Sequence, residues 1–216
     1  MRSALIVYGG WDGHDPEECA SIYRRWLHED GYSVRTATET SAFADPSIAD
    51  LSLIIPIFTM SKIAKEEVEN LTKAVRGGVG LAGHHGGMSD AFRESVDYQF
   101  MVGGQWVAHP GDIIDYTVDV TKPDDPIMAG IKPSFPYTSE QYYMHVDPMI
   151  EVLATTTFSG EHAPWIEGAV VPVVWKHRYG QGRVFHMTLG HRAKEFENPN
   201  MATIMRRGLN WAARDE

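Results

Sequence analysis

The apolar positions of this chain follow two rhythms. Residues 4–8 (ALIVY) form an unbroken apolar run stopped by Gly9 and Gly10, the pattern of a strand buried on both faces. From Pro16 the spacing changes. Ala20, Tyr23, Trp26 and Leu27 recur at helical intervals, Pro16 suits the first turn and Gly31 the stop, so a helix is expected between them. Residues 32–38 (YSVRTAT) read as a second strand and residues 49–59 (ADLSLIIPIFT) as a third, with Pro56 placing the last part of that run at a sheet edge or a strand end. Residues 65–78 (KEEVENLTKAVRGG) predict an amphipathic helix closed by Gly77, and residues 79–83 (VGLAG) a fourth strand. Strand and helix in alternation predict an α/β fold of three layers: a mostly parallel sheet with helices on both faces.

The second half changes style. Residues 112–120 (DIIDYTVDV) and 150–158 (IEVLATTTF) read as strands, and Pro123, Pro126, Pro133 and Pro136 mark proline-rich connections between them. Residues 170–191 carry two strands around YGQG, an antiparallel hairpin near the C-terminal end of the chain. Residues 199–214 predict a closing helix that offers Ile204, Met205, Leu209 and Trp211 or Ala212 for burial. No internal repeat, low-complexity tract or linker composition divides the 216 residues, so residues 1–216 are expected to form one domain, with the irregular stretch from about Asp90 to Pro148 an elaboration of it.

Composition narrows the function classes. With 43% apolar and 22% charged residues the chain can bury one core, and its net charge of −10 makes nucleic acid or an acidic membrane surface a poor partner. A small neutral or cationic ligand fits better. The one cysteine, Cys19, cannot form an intrachain disulfide, and the first apolar run is too short for a signal peptide or a membrane span, so a soluble cytoplasmic protein is expected. These residues leave the oligomeric state open, a homo-oligomer included.

Chemistry enters at residues 80–87 (GLAGHHGG). In an open parallel sheet, ligands bind outside the carboxyl ends of the strands. That rim is predicted to receive Gly10, Trp11 and His14 after the first strand, Thr59 after the third, His85 after the fourth and His191 after the last. Gly83, His85 and Gly87 have the spacing of a nucleophile elbow, in which glycines allow a sharp strand-to-helix turn that presents the central side chain. Here that side chain is an imidazole. His84 is adjacent and should point the other way, into structure; His14 is read equally well as solvated or as part of the site; Arg183 falls at the far end of its strand and reads as structural.

The motifs GLAGHHGG, GGQWVAHP (103–110), SEQYY (139–143) and above all YGQGRVFHMTLGH (179–191) resemble, in order, those of the ThuA-like (trehalose-utilisation) family, a branch of the class I glutamine amidotransferase-like fold. In the amidotransferases the elbow carries a catalytic cysteine. Aligned on the glycines that position is His85, and an imidazole cannot replace a thiolate in thioester chemistry, so glutamine hydrolysis is excluded. The resemblance implies a sugar-metabolism protein acting on a keto-sugar or glycoside. Glu140 and Tyr143 become candidates because the family motif falls on them.

Histidine can donate or accept a proton near neutrality, so His85, His191, His109, His145 and Glu140 are the catalytic candidates for an isomerase, lyase or hydrolase. Gly10, Trp11, His14, Trp106 and Tyr143 are the candidates for holding the sugar. No cofactor is required by this reading. The alternatives are a zinc hydrolase, in which two or three of His14, His85, His109 and His191 hold the metal at about 2.0–2.1 Å with an open water position, and a noncatalytic sugar-binding protein. No paired histidines on one helix support the metal, so zinc rests on convergence in space alone.

Overall fold

The unbroken apolar run of β1 (Ser3–Gly10) serves two cores at once: Ala4 and Ile6 enter one, Leu5 and Val7 the other. The computed structural model describes residues 2–215. β1 lies between β2 (Ser33–Ala37) and β3 (Leu53–Thr59), and β3 is followed by β4 (Gly80–His84), all parallel. α1 (Pro16–Glu29) and α5 (Pro199–Ala212) cover the first core with Tyr23, Trp26, Leu27, Ile204, Met205 and Leu209. α2 (Lys65–Arg76) and α4 (Val96–Val102) cover the second with Val68, Leu71, Val75, Met101 and Val102. Each helix buries one apolar stripe, which is why three layers result. Pro16 sits in the first turn of α1, and the Asn198 side chain caps α5 by accepting from the amides of Asn200 and Met201.

The remaining strands are β5 (Gly104–Ala108), β6 (Ile113–Val120), β7 (Ser134–Glu140), β8 (Tyr143–Val146), β9 (Glu151–Thr157), β10 (Val170–Tyr179) and β11 (Gly182–Met187). The large sheet has nine strands in the order β2-β1-β3-β4-β11-β10-β9-β6-β7, and β5 with β8 forms a small antiparallel sheet of its own. The expected sheet is therefore mixed: its ladders are parallel from β2 to β11 and antiparallel from β11 to β7. The hairpin of β10 and β11 is the seam, because β11 returns parallel to β4 while its tight turn forces β10 to run against it.

Two proline readings change. Pro56 lies inside a central strand, where its missing N–H is tolerated because β3 pairs β4 only at Leu53 and Ile54 and goes on pairing β1 as far as Thr59. Pro136 belongs to β7, not to a connection; β7 is one of the two edge strands of the sheet, with Phe135, Tyr137 and Ser139 alternating inward.

Candidate functional site

Four segments far apart in sequence meet at the carboxyl ends of the parallel strands. β4 ends at His84, and His85 opens the one-turn helix α3 (His85–Ser89) with φ of +47°, the left-handed conformation that a sharp elbow requires. β1 ends at Gly10, with φ of +80°, where a Cβ would stand 2.3 Å from the Thr59 carbonyl oxygen, so only glycine lets the two strand ends approach. Trp11 follows, donating its amide to that carbonyl, and the turn Asp12–His14 delivers the His14 ring onto the elbow. A Cβ on Gly86 would lie 2.6 Å from His14 Cε1, so the elbow glycine makes room for the neighbouring imidazole. β7 supplies Glu140 at its last residue, and the loop after β11 supplies His191.

Charged side chains lock these segments together. Asp15 accepts from the Arg192 guanidinium and from the Ala193 amide, which ties the His14 turn to the His191 loop. Glu195 accepts from Tyr137, Ser139 and the Gly190 amide, which ties that loop to β7 and so to Glu140. The geometry is thus set by buried and half-buried polar contacts in addition to the sheet.

At the centre is the Glu140 carboxylate. One of its oxygens, Oε2, stands 3.0 Å from His85 Nε2, 3.3 Å from His191 Nδ1 and 4.0 Å from His14 Nε2. His109 Nε2 lies 3.8 Å from the other oxygen. His14, His85, Glu140 and His191 are all buried. The His85 Nδ1 proton is fixed by donation to the Thr188 carbonyl at 2.6 Å, and His14 Nδ1 is 2.8 Å from the Thr59 hydroxyl. Burial, then the closeness of the His85 and His191 imidazoles, push His14 down to about 2, so this imidazole is neutral at pH 7. Burial by itself would raise the Glu140 carboxyl, but the adjoining His191 and His85 imidazoles outweigh it and hold Glu140 well below the usual carboxylate range.

Aromatic rings wall the cluster. Tyr142 stacks on His85 with ring centres 4.0 Å apart, and Trp106 packs edge-on to Tyr142 and tilted against His109. Arg93, ion-paired to Asp90, lies over the Trp106 ring at 4.5 Å. On the other side half-exposed Trp11 makes an edge contact with His14 and lies 6.4 Å from His191. A groove of about 900 Å³ opens beside His191, lined by Asp15, Ile113, Tyr137, Lys194 and Asn198 among others.

Gly10, Trp11, His14, His85, Trp106, His109, Glu140 and His191 are therefore gathered around one centre. His145 and Tyr143 are not. His145 is exposed on β8 opposite Gln105, and Tyr143 packs against Phe158. The tyrosine that reaches the cluster is Tyr142, one residue earlier, in the break between β7 and β8; no periodicity in SEQYYMH distinguishes the two. Thr188 lies within the motif of residues 179–191 but holds His85 through its backbone carbonyl, which no side-chain pattern marks, and Glu195, outside every motif, acts through long-range contacts. His84 turns away from the site as expected: its Nδ1 shares a hydrogen bond with the Tyr23 hydroxyl at 2.6 Å, and burial lowers it to about 3. Arg183 reaches the end of α5, where it donates to the Ala212 and Ala213 carbonyls, in keeping with a structural role.

Comparison with known proteins adds the lineage. The family described as ThuA, trehalose utilisation, matches residues 3–212. A ThuA-like protein from Bacteroides uniformis superposes with a TM-score of 0.81 at 19% identity, over 98% of this chain and 91% of that one. One from Parabacteroides merdae gives 0.80 at 17% identity, over 98% and 89%. A protein of Salmonella typhimurium described as cytoplasmic gives 0.65 at 14% identity, over the whole of both chains. No curated protein matches the sequence. Among the described residues no helix is long and apolar enough to cross a membrane. With a match that spans nearly its whole length, the chain belongs to the ThuA family, whose members are associated with trehalose utilisation.

Proposed function

We propose that the protein is an enzyme of carbohydrate metabolism that moves protons at a keto-sugar or glycoside, as an isomerase, lyase or hydrolase. The observation that carries this reading is the Glu140 carboxylate set among His14, His85, His191 and His109 at the carboxyl-end rim. Imidazoles gathered around an ionised carboxylate can accept a proton at one site and return it at another, which each of these reactions needs at a carbon beside a carbonyl or at a leaving oxygen. His109 is the least buried of the four imidazoles, and His191 is the one that lines the groove. Trp11 and Trp106 offer apolar faces for a pyranose ring. The groove beside His191 falls within the usual range of small-ligand sites and has room for a disaccharide.

The partner in this reading is a small carbohydrate and not nucleic acid, in line with the net charge of −10, and the setting is the cytoplasm. The parallel strand order, with the site where the order reverses at β1 and β3, is in keeping with a class I glutamine amidotransferase-like fold, while an elbow imidazole in place of a thiol argues against that chemistry. The test is incubation of the protein in deuterated water with disaccharides and their keto derivatives, followed by NMR. Deuterium uptake beside the ketone, or cleavage of the glycosidic bond, is the expected result. A panel of keto- and unmodified glucosides that shows neither exchange nor turnover defeats the reading.

A further inference from the structure

We infer that His14, His85, Glu140 and His191 form a binding site for one divalent transition-metal ion of the zinc type. The inference shares the residues of the reading above but not its reaction, and it stands on metal binding alone.

The first argument is the direction of the lone pairs. The Thr188 carbonyl can only accept, so the 2.6 Å contact places the His85 proton on Nδ1. His85 Nε2 then turns its lone pair toward Glu140 Oε2, 3.0 Å away and itself an acceptor. Two acceptors at that distance need a positive centre between them. A single proton satisfies that pair alone. It leaves His14 Nε2 at 4.0 Å, beyond hydrogen-bond range, and His191 Nδ1 buried with no hydrogen-bond partner despite its 3.3 Å separation from Oε2. A cation at the centre of the four atoms satisfies all of them together.

The second argument is size. The four donor atoms lie within 4.8 Å of one another. Tetrahedral ligands at the usual zinc distances of about 2.0–2.2 Å stand roughly 3.3 Å apart. Two of the edges, 3.0 and 3.3 Å, are at that spacing, and the third given above, 4.0 Å, needs only a small shift of the His14 ring.

The third argument is the support behind the ligands. Histidines that bind metals give their remaining ring nitrogen to a fixed partner that sets the tautomer. His85 does so with the Thr188 carbonyl and His14 with the Thr59 hydroxyl. Three imidazoles and one carboxylate suit a borderline ion; magnesium and calcium prefer all-oxygen sites. With His14, His85 and His191 held as ligands, His109 on the far carboxylate oxygen remains free to carry a proton.

The experiment uses the whole chain, stripped with a chelator and titrated with cobalt(II), read by visible absorption, with metal content per chain measured after gel filtration. One cobalt per chain with the intense bands of a four-coordinate centre, displaced by zinc, is expected. At a free zinc concentration 100 times Kd the melting temperature should rise by about 5–10 °C. Thr59→Val keeps the shape of the side chain and removes the partner of His14, so it should weaken binding about 10- to 100-fold, whereas His191→Gln removes a ligand and should weaken it further. Failure of the stripped wild type to take up one ion at micromolar concentration overturns the site, whatever becomes of the variants. So does uptake with only the weak bands of a hexa-aquo or surface-bound ion, or with equal affinity in wild type and Thr59→Val. None of these readouts needs a substrate, so a metal-free result leaves the sugar assay standing, and a failed sugar assay leaves the metal result standing.

Discussion

His186 on β11 is an imidazole with no exposed surface, packed against the Trp175 ring at 4.4 Å, and neither ring nitrogen has a hydrogen-bond partner. Burial, followed by the fields of His84 and His85, pushes it well below 6.5, against a smaller opposing effect from the Gly83 backbone. Replacing it with leucine, of similar volume, removes an unpaired buried polar group, and such groups cost about 1–3 kcal/mol. At pH 7 the His186→Leu variant should therefore be more stable by about that amount, a rise in melting temperature of roughly 2–12 °C for a domain of this size. The pH dependence has a definite sign. Because the folded value is lower than the unfolded one, the unfolded chain binds the proton first as pH falls. Stability is therefore full above about pH 6.5 and is lost below it by about 1.4 kcal/mol per pH unit for this one residue. The variant lacks that loss, so its advantage should be larger by about 1.4 kcal/mol at pH 5.5 than well above pH 6.5. Urea unfolding of both proteins at several values from pH 7.5 to 5.5, with chelator present, measures the difference. Destabilisation by leucine, or an advantage that does not grow on acidification, refutes the reasoning.

Other substitutions probe the site. His85→Gln should lower turnover on the responsive sugar by roughly 10²- to 10⁴-fold, whether through proton transfer or through loss of a metal ligand, while His145→Gln, on the exposed face of β8, should leave turnover unchanged; equal rates in wild type and His85→Gln at equal folded fraction remove the elbow imidazole from the chemistry. Gly10→Ala places a Cβ 2.3 Å from the Thr59 oxygen at φ of +80°, which should cost at least about 1–3 kcal/mol in strain and lower the melting temperature; a neutral melt shows that the corner is loose. Tyr23→Phe removes the buried partner of His84 Nδ1 and should cost about 1–3 kcal/mol in urea unfolding at pH 7, with an unchanged midpoint as the contrary result. Titration with duplex DNA at moderate salt should show no salt-dependent binding, given the net charge of −10, and tight binding overturns the charge argument.

Local pattern was enough for whatever depends on neighbours along the chain. The unbroken runs of β1 and β4, the helical spacing of α1, α2 and α5, the hairpin at Gly180 and Gln181 and the elbow at His85 are all legible, because burial on one face or two writes a period into the sequence and glycine marks the sharp turns. The rim position of His85 and His191 follows from the same patterns once the parallel order is assumed. What the chain does not write locally is pairing between distant strands. β7 hides behind Pro136, since a proline that ends a central strand is harmless on an edge, and only the whole sheet reveals which strands are the edges. Glu140 at its end therefore carried no signal of its own. Tyr142 and Tyr143 are chemically identical neighbours, and the break after β7 alone decides which ring stacks on His85. The cluster itself is a tertiary fact: its four side chains come from residues 14, 85, 140 and 191, and their common centre is set by the lengths of four connections and by the Asp15 and Glu195 ties. Periodicity along a chain determines which face a residue takes; only the folded chain determines what stands opposite it.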